Sequence, residues 1–250
     1  MPIAGRLYYF TYPGETPPVV LIHGAGGTHL YWPAEIRRLP GHCTLAIDLP
    51  GHGKSFGCGL QTISAYAESV LGWLGAVGLS QAVFVGHSLG GAIVEELALD
   101  HPEYVLGLIL VGAGARLRIH PDILQSSASE ATFHSTVKII MEWAFSRQAP
   151  ERLVELASRR MAETRPSVLH GDFLACDAFD VMDRVGEISQ PTLVICGADD
   201  RLTPLRYAQF LAREIAAARL EIIPDAGHMV MLEQPQAVAN LVKAFLDRII

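Results

Sequence analysis

No stretch of the 250-residue chain is apolar for the roughly 18 consecutive positions that a membrane-spanning helix needs. The N-terminus, MPIAGRLYYFTYPG, lacks the basic start and long apolar core of a secretion signal. Cysteine is scarce: Cys43, Cys58, Cys176 and Cys196 make four. They are widely spaced and form no CxxC pair, so they outline neither a disulfide framework nor a zinc site. Thiols of this kind fit a reducing compartment, and the expectation is a cytoplasmic protein with no membrane association. Charge is sparse as well: 18% of residues carry it, with a net charge of −7 and no run of one sign. A nucleic-acid partner would need clustered Lys and Arg to displace counterions, so that class is set aside. Asparagine is reduced to Asn240 alone. That scarcity of a thermolabile residue fits a hot-growing source.

What the chain does have is apolar residues, 50% of the total. A chain of this length can bury a large core, about three quarters of its unfolded surface. Short apolar runs recur at Val19–Ile22, Leu45–Ile47, Val83–Val85, Leu108–Val111, Leu193–Ile195 and Leu220–Ile223. Consecutive apolar positions fit strands covered on both faces of a parallel sheet. Arg6–Tyr12 alternates less cleanly and reads as an antiparallel edge. Helical patterns fill the gaps at Ser64–Val77, Leu89–Leu99, Leu205–Ala217 and Val238–Ile249. Strand alternating with helix implies a doubly wound, mostly parallel α/β sheet. The rhythm breaks between Arg116 and Glu187, where no strand-like run occurs and Pro121, Pro150 and Pro166 interrupt helical stretches. The expected division is therefore a core of residues 1–115 and 188–250 with an all-helical lid of residues 116–187. Ligands bind at the carboxyl ends of such strands, so the lid would cover that edge.

The strongest local pattern is Gly86-His87-Ser88-Leu89-Gly90, lying between an apolar run and a helix. A G-x-S-x-G segment in that context is a nucleophile elbow. The sharp turn strains the serine backbone and leaves room only for glycine two positions to either side. It presents the hydroxyl of Ser88 at the strand end, against a helix N-terminus. A serine hydroxyl needs a base. Ten histidines are present. His228, in Asp225-Ala226-Gly227-His228 after the last strand, is the one expected at the same sheet edge. His42, His52, His101 and His120 read as structural or solvated, and His87 should point away from the reaction. The base in turn needs a carboxylate. Asp199 and Asp200 both follow the run ending at Cys196, and the residues alone do not choose between them. Two amides must hold the oxyanion that develops on the substrate. Leu89 N–H supplies one. Ala25, in His23-Gly24-Ala25-Gly26-Gly27, supplies the other, because small residues let the backbone come close.

LIHGAGG, AIDLPGHGKS, VGHSLGG, ICGADDRLTP and AGHMVMLEQP occur in that order. Together they resemble the α/β-hydrolase superfamily, in its branch of small esterases, lactonases and cofactor-free perhydrolases with a helical cap. The likeness spans the chain except for the cap. It implies that the acid directly precedes Arg201-Leu202-Thr203-Pro204, which favours Asp200. It supports Ala25 as the second oxyanion donor and marks Asp48–Ser55 as a structural turn.

Two false signals are set aside. Gly53-Lys54-Ser55 ends like a phosphate loop, but Asp48 stands where its first glycine belongs. The glycine-rich segment after His23 lacks the third glycine of a dinucleotide fingerprint, since His29 occupies that place. No cofactor and no metal are expected. The reading is a serine hydrolase of carboxylic esters or lactones, with Phe133, Trp143, Phe173 and Phe179 of the cap lining an apolar pocket for a small-molecule ester. Its rivals are carbon–carbon bond hydrolysis, with Arg116, Arg118 or Arg184 holding a substrate carboxylate, perhydrolysis, and a ligand sensor that retains the triad.

Overall fold

A computed structural model describes residues 2–249. The chain begins with β1 (Ile3–Ala4), β2 (Leu7–Tyr12), β3 (Glu15–Ile22), α1 (Ala34–Arg37) and β4 (His42–Ile47). Next come α2 (Ile63–Val77), β5 (Ala82–His87), α3 (Leu89–Asp100) and β6 (Val105–Val111). The helices α4 (Pro121–Ser127), α5 (Glu130–Ala144), α6 (Glu151–Ala162) and α7 (Pro166–Ala178) form an insertion before β7 (Thr192–Gly197). The chain closes with α8 (Leu205–Glu214), β8 (Ala218–Ile223), α9 (Val230–Glu233) and α10 (Pro235–Ile249).

The strands form one eight-stranded sheet in the order β1-β2-β4-β3-β5-β6-β7-β8. The first two pairings are antiparallel and every other pairing is parallel; the strand expected as an antiparallel edge, Leu7–Tyr12, is antiparallel but has the two-residue β1 outside it. Side-chain alternation explains why the central strands are apolar throughout. Val20, Ile22, Phe84, Leu108, Leu110 and Val194 face one core, shared with α2, α3 and α8. Val19, Leu21, Val83, Val85, Ile109 and Ile195 face the other, shared with α1 and α10. A sheet covered on both faces must be greasy at consecutive positions.

Local chemistry sets the helix ends. Thr62 caps α2, its hydroxyl accepting from Ala65 N at 3.2 Å, and Gly78 ends it at φ 73°. Pro121 and Pro166 occupy the first turns of α4 and α7, and Pro150 caps α6. Each proline expected to break a helix thus starts one, where its missing N–H costs nothing. Two sequence expectations need correction. The helix from Leu205 stops at Glu214 rather than Ala217, because Ala218 N bonds back to Ile215 O at 3.0 Å and turns the chain into β8. The run Leu220–Ile223 is not covered on both faces: β8 is the sheet's outer strand and Ile222 is 45% exposed. The two ends of the insertion are stitched together where it leaves and rejoins the sheet. Val181 N donates to Ala115 O at 2.8 Å, and Arg116 bridges to Asp180.

Candidate active site

Four loops meet at the carboxyl edge of the sheet, following β3, β5, β7 and β8. Ser88 sits between β5 and α3 with φ 52° and ψ −115°, a backbone that a residue with a Cβ rarely adopts. The strain is held by hydrogen bonds on both sides: Ser88 N donates to Val111 O at 3.0 Å and Ala92 N to Ser88 O at 3.1 Å. The flanking glycines are there for space. A Cβ on Gly86 would stand 2.2 Å from Gly90 O, and one on Gly90 would stand 2.3 Å from Ile22 O.

The structure chooses between the two aspartates. Asp199 is exposed, whereas Asp200 is buried with Oδ2 2.9 Å from His228 Nδ1. Its own loop saturates Asp200. Oδ1 accepts from Leu202 N (2.9 Å) and Thr203 N (2.8 Å), and Oδ2 accepts from the Thr203 hydroxyl (2.8 Å). Burial pushes this carboxyl up, but the neighbouring His228 and these donors outweigh it, and its pKa lies below the ordinary value. An anionic Asp200 fixes the proton of His228 on Nδ1 and leaves Nε2 as the basic atom.

The loop after β3 is pinned peptide by peptide. His23 Nε2 accepts from Leu49 N at 3.0 Å, so Nδ1 carries the hydrogen and donates it to Gly24 O at 2.8 Å. Burial holds the His23 pKa down at about 4, which keeps this tautomer neutral. Gly27 N also donates to Gly24 O, at 3.1 Å. The Gly24 carbonyl and the Ala25 amide belong to one trans peptide, so anchoring the first turns the second the opposite way. Ala25 lines the cavity beside Ser88. Leu89 opens α3 with its side chain buried in the core. Among the described residues neither amide is spent on a backbone acceptor, which suits the pair to an incoming oxygen.

Ser88, His228, Ala25 and Thr203 share a cavity of about 800 Å³, counted with its mouth, between the sheet edge and the insertion. Its walls are mainly apolar. Trp143 and Phe173 line it as expected. Phe133 and Phe179 do not: both are buried, Phe133 in the core beneath α5 and Phe179 in the opposite core. The apolar wall instead comes from Ile119, Ile123, Ile140, Met141, Met161 and Met229. One histidine behaves otherwise than the sequence suggested. His87 does not point away: its ring centre lies 4.7 Å from that of His228, its Nε2 donates to His228 O at 3.0 Å, and it lines the cavity. His120 is exposed before Pro121, as its surface-turn reading expects, and with Arg118 it also borders the cavity. Among the described residues no group of three His, Cys, Asp or Glu side chains could hold a metal ion.

A mostly parallel sheet with a strained serine on its central turn, and a buried Asp–His pair two loops away, defines a class of α/β proteins built for a serine nucleophile. Residues 17–235 match the model of the alpha/beta hydrolase fold, and the chain belongs to that family. Among curated relatives it is 30% identical to a pimeloyl-(acyl-carrier protein) methyl ester esterase of Pectobacterium carotovorum subsp. carotovorum (strain PC1), over 96% of this chain and 98% of that one. Among solved structures it is similar to a thermophilic esterase (34% identity, TM-score 0.84, 97% and 98% of the two chains). It is also similar to the enol-lactonase of Burkholderia xenovorans LB400 (25% identity, TM-score 0.90, 96% of each chain).

Proposed function

We propose that the protein is a serine hydrolase that cleaves carboxylic esters or lactones with small to medium apolar acyl parts, through an acyl-enzyme. The observation that carries this is the strained Ser88 in one apolar cavity with the Asp200-bonded His228. In this reading the substrate carbonyl lies against the Ala25 and Leu89 amides. Ser88 attacks it while His228 takes the hydroxyl proton. His228 then gives that proton to the leaving alcohol, and the ester C–O bond breaks. The same histidine deprotonates a water, which releases the acid and restores Ser88. The helices between β6 and β7 act as the cap over this site. The esterase and lactonase relatives support acyl transfer to water as the chemistry. Four unpaired cysteines support a cytoplasmic setting, and no helix among the described residues is long and apolar enough to cross a membrane.

The arginines that carbon–carbon bond hydrolysis would need are already engaged. Arg118 binds Leu117 O, Asp177 O and Asp180 Oδ2, Arg116 pairs with Asp180, and Arg184 with Asp100. That favours an apolar ester over a substrate bearing a free carboxylate. The test is turnover of p-nitrophenyl esters from acetate to decanoate, with Ser88→Ala in parallel. Turnover that vanishes in the variant is the expected result, and its chain-length optimum sizes the acyl pocket. Folded wild type that turns over none of the series overturns the reading.

A further inference from the structure

The cap holds more than a roof over the substrate. Gly26, one residue beyond Ala25, is gripped from above on both its polar atoms. Its N–H donates to Asp172 Oδ2 of α7 at 2.8 Å, and its carbonyl accepts from the Thr164 hydroxyl, between α6 and α7, at 3.0 Å. The cap also sits directly on its Cα. A Cβ there would meet Leu169 Cδ1 at 2.9 Å and Met161 Cγ at 3.1 Å, and Gly26 has φ 63°. These contacts join residues 138 and 146 positions apart in the chain.

Asp172 is completely buried. It accepts from His52 Nε2 at 2.9 Å and from the Tyr66 hydroxyl at 2.5 Å, besides Gly26. His52 comes from the turn after β4 and Tyr66 from α2, so this one carboxylate ties cap, turn, helix and loop together. A buried carboxylate is tolerable only with such a set of donors. One of those donors is the peptide next to the Ala25 amide, and this separates Asp172 from an ordinary core anchor.

We propose that Asp172 and Thr164 are positioning residues for the oxyanion loop. His23 and Gly27 anchor the Gly24 side of Ala25 from below; by fixing the Gly26 peptides on the other side, Asp172 and Thr164 complete the hold on Ala25 N–H, so the amide is fully aimed when the cap is seated. The proposal rests on the serine-hydrolase reading above and adds that half of the oxyanion site is built by the cap.

The experiment compares Asp172→Asn, Thr164→Val and Thr164→Ser with wild type. It reads kcat and KM on p-nitrophenyl butyrate, inhibition by a trifluoromethyl ketone that forms an oxyanion on Ser88, and amide exchange over residues 24–27. Losing an oxyanion donor outright costs about 100- to 1,000-fold, so a misaimed one should cost roughly 10- to 100-fold in Asp172→Asn and roughly 3- to 10-fold in Thr164→Val. The loss should fall in kcat with KM little changed. Ketone affinity should drop in step, the loop should exchange faster, and Thr164→Ser should recover most of the activity. A folded Asp172→Asn with wild-type kcat and ketone affinity overturns the proposal. If Asp172→Asn does not fold, equal activities of Thr164→Val and Thr164→Ser overturn it. A wild type that neither turns over nor reacts with a fluorophosphonate at Ser88 brings down the hydrolase reading instead. Unchanged loop exchange in the variants then overturns the positioning role separately.

Discussion

His228 and Ala25, the proposed base and oxyanion donor, line the same cavity, but their supports are differently built. Asp200 takes its donors from Leu202 and Thr203, two and three residues away. Gly26 takes its partners from Thr164 and Asp172, across the whole insertion. Asp200 is thus held by bonds within its own loop, which meets the cap at its rim, where Arg201 donates to Phe145 O at 3.1 Å. The proposed oxyanion loop adds to its local anchors, His23 and Gly27 on Gly24 O, two long-range ones from the cap. The cap also touches the histidine loop, through Met229 N to Ala144 O (3.0 Å) and through Glu233, which accepts from Gly227 N and Ser146 N. Those contacts hold backbone, however, and the side-chain partners of the His228 imidazole are Asp200 and Thr203, towards which Nδ1–H points. Changes at the two regions should therefore fail differently.

The largest effects belong to the sheet-borne pair. His228→Gln removes the base, and kcat should fall by roughly 10⁴-fold or more, since nucleophile and base act as a unit. Asp200→Asn leaves the shape intact but favours the wrong tautomer of His228, with a loss of roughly 10⁴-fold in kcat. Both variants should leave the loop held as in wild type, read as unchanged amide exchange at residues 24–27. Faster exchange there would show that the two regions are not independent. Asp172→Asn is the converse case, with its smaller loss and its loosened loop.

The same division explains what could be read from the sequence. Ser88, His228 and the two candidate aspartates all lie in short segments whose chemistry is local: a strand end, a glycine turn, a cap. The choice of Asp200 over Asp199 depended on which neighbour faces inward, and only burial and the bond to His228 settle that in this chain. His52 reads from the sequence only as structural or solvated, and Asp172 stands in no motif. Neither has a sequence signal, because their meaning lies in a contact 120 residues apart. The strands were legible because alternation onto two cores leaves consecutive apolar runs. The exposure of β8 was not, because an edge position is a property of topology.

Acidity should separate the regions as well. The pKa of Asp200 is lowered on folding, so its contribution to stability is complete above the unfolded value and is lost as pH falls through the folded one. His23 adds to the acid side: held down at about 4, it favours the folded state at neutral pH, and that advantage shrinks as pH falls from the unfolded value of 6.5. His52 has the other sign. Burial lowers its pKa, but the Asp172 carboxylate, helped by Pro50 O and Asp48, raises it by more. Its contribution is complete below the unfolded value and is lost as pH rises through the folded one. A melting-temperature profile of wild type should decline at both ends, and Asp172→Asn should flatten the alkaline decline while leaving the acid one. An alkaline limb that survives in the variant would remove His52 from the account.

The smallest expected change concerns the pocket wall, where two aromatics of α5 part company. Phe133 and Trp143 stand ten positions apart, about 15 Å along a helix, so one end of α5 can pack the cap while the other meets the substrate. Trp143 lines the cavity and Phe133 is buried in the core. Trp143→Ala enlarges the cavity and should move the preferred p-nitrophenyl ester to longer chains by a few-fold in kcat/KM, with little loss of melting temperature. Phe133→Ala should do the reverse, costing about 3–5 kcal/mol of stability through the cavity it leaves, with the chain-length preference unchanged. A shift in chain-length preference from Phe133→Ala would mean that the packing of the cap reaches the acyl pocket from its far end. The cap would then set substrate size as a whole, through its seating, in the same way that Asp172 and Thr164 make it set the aim of Ala25.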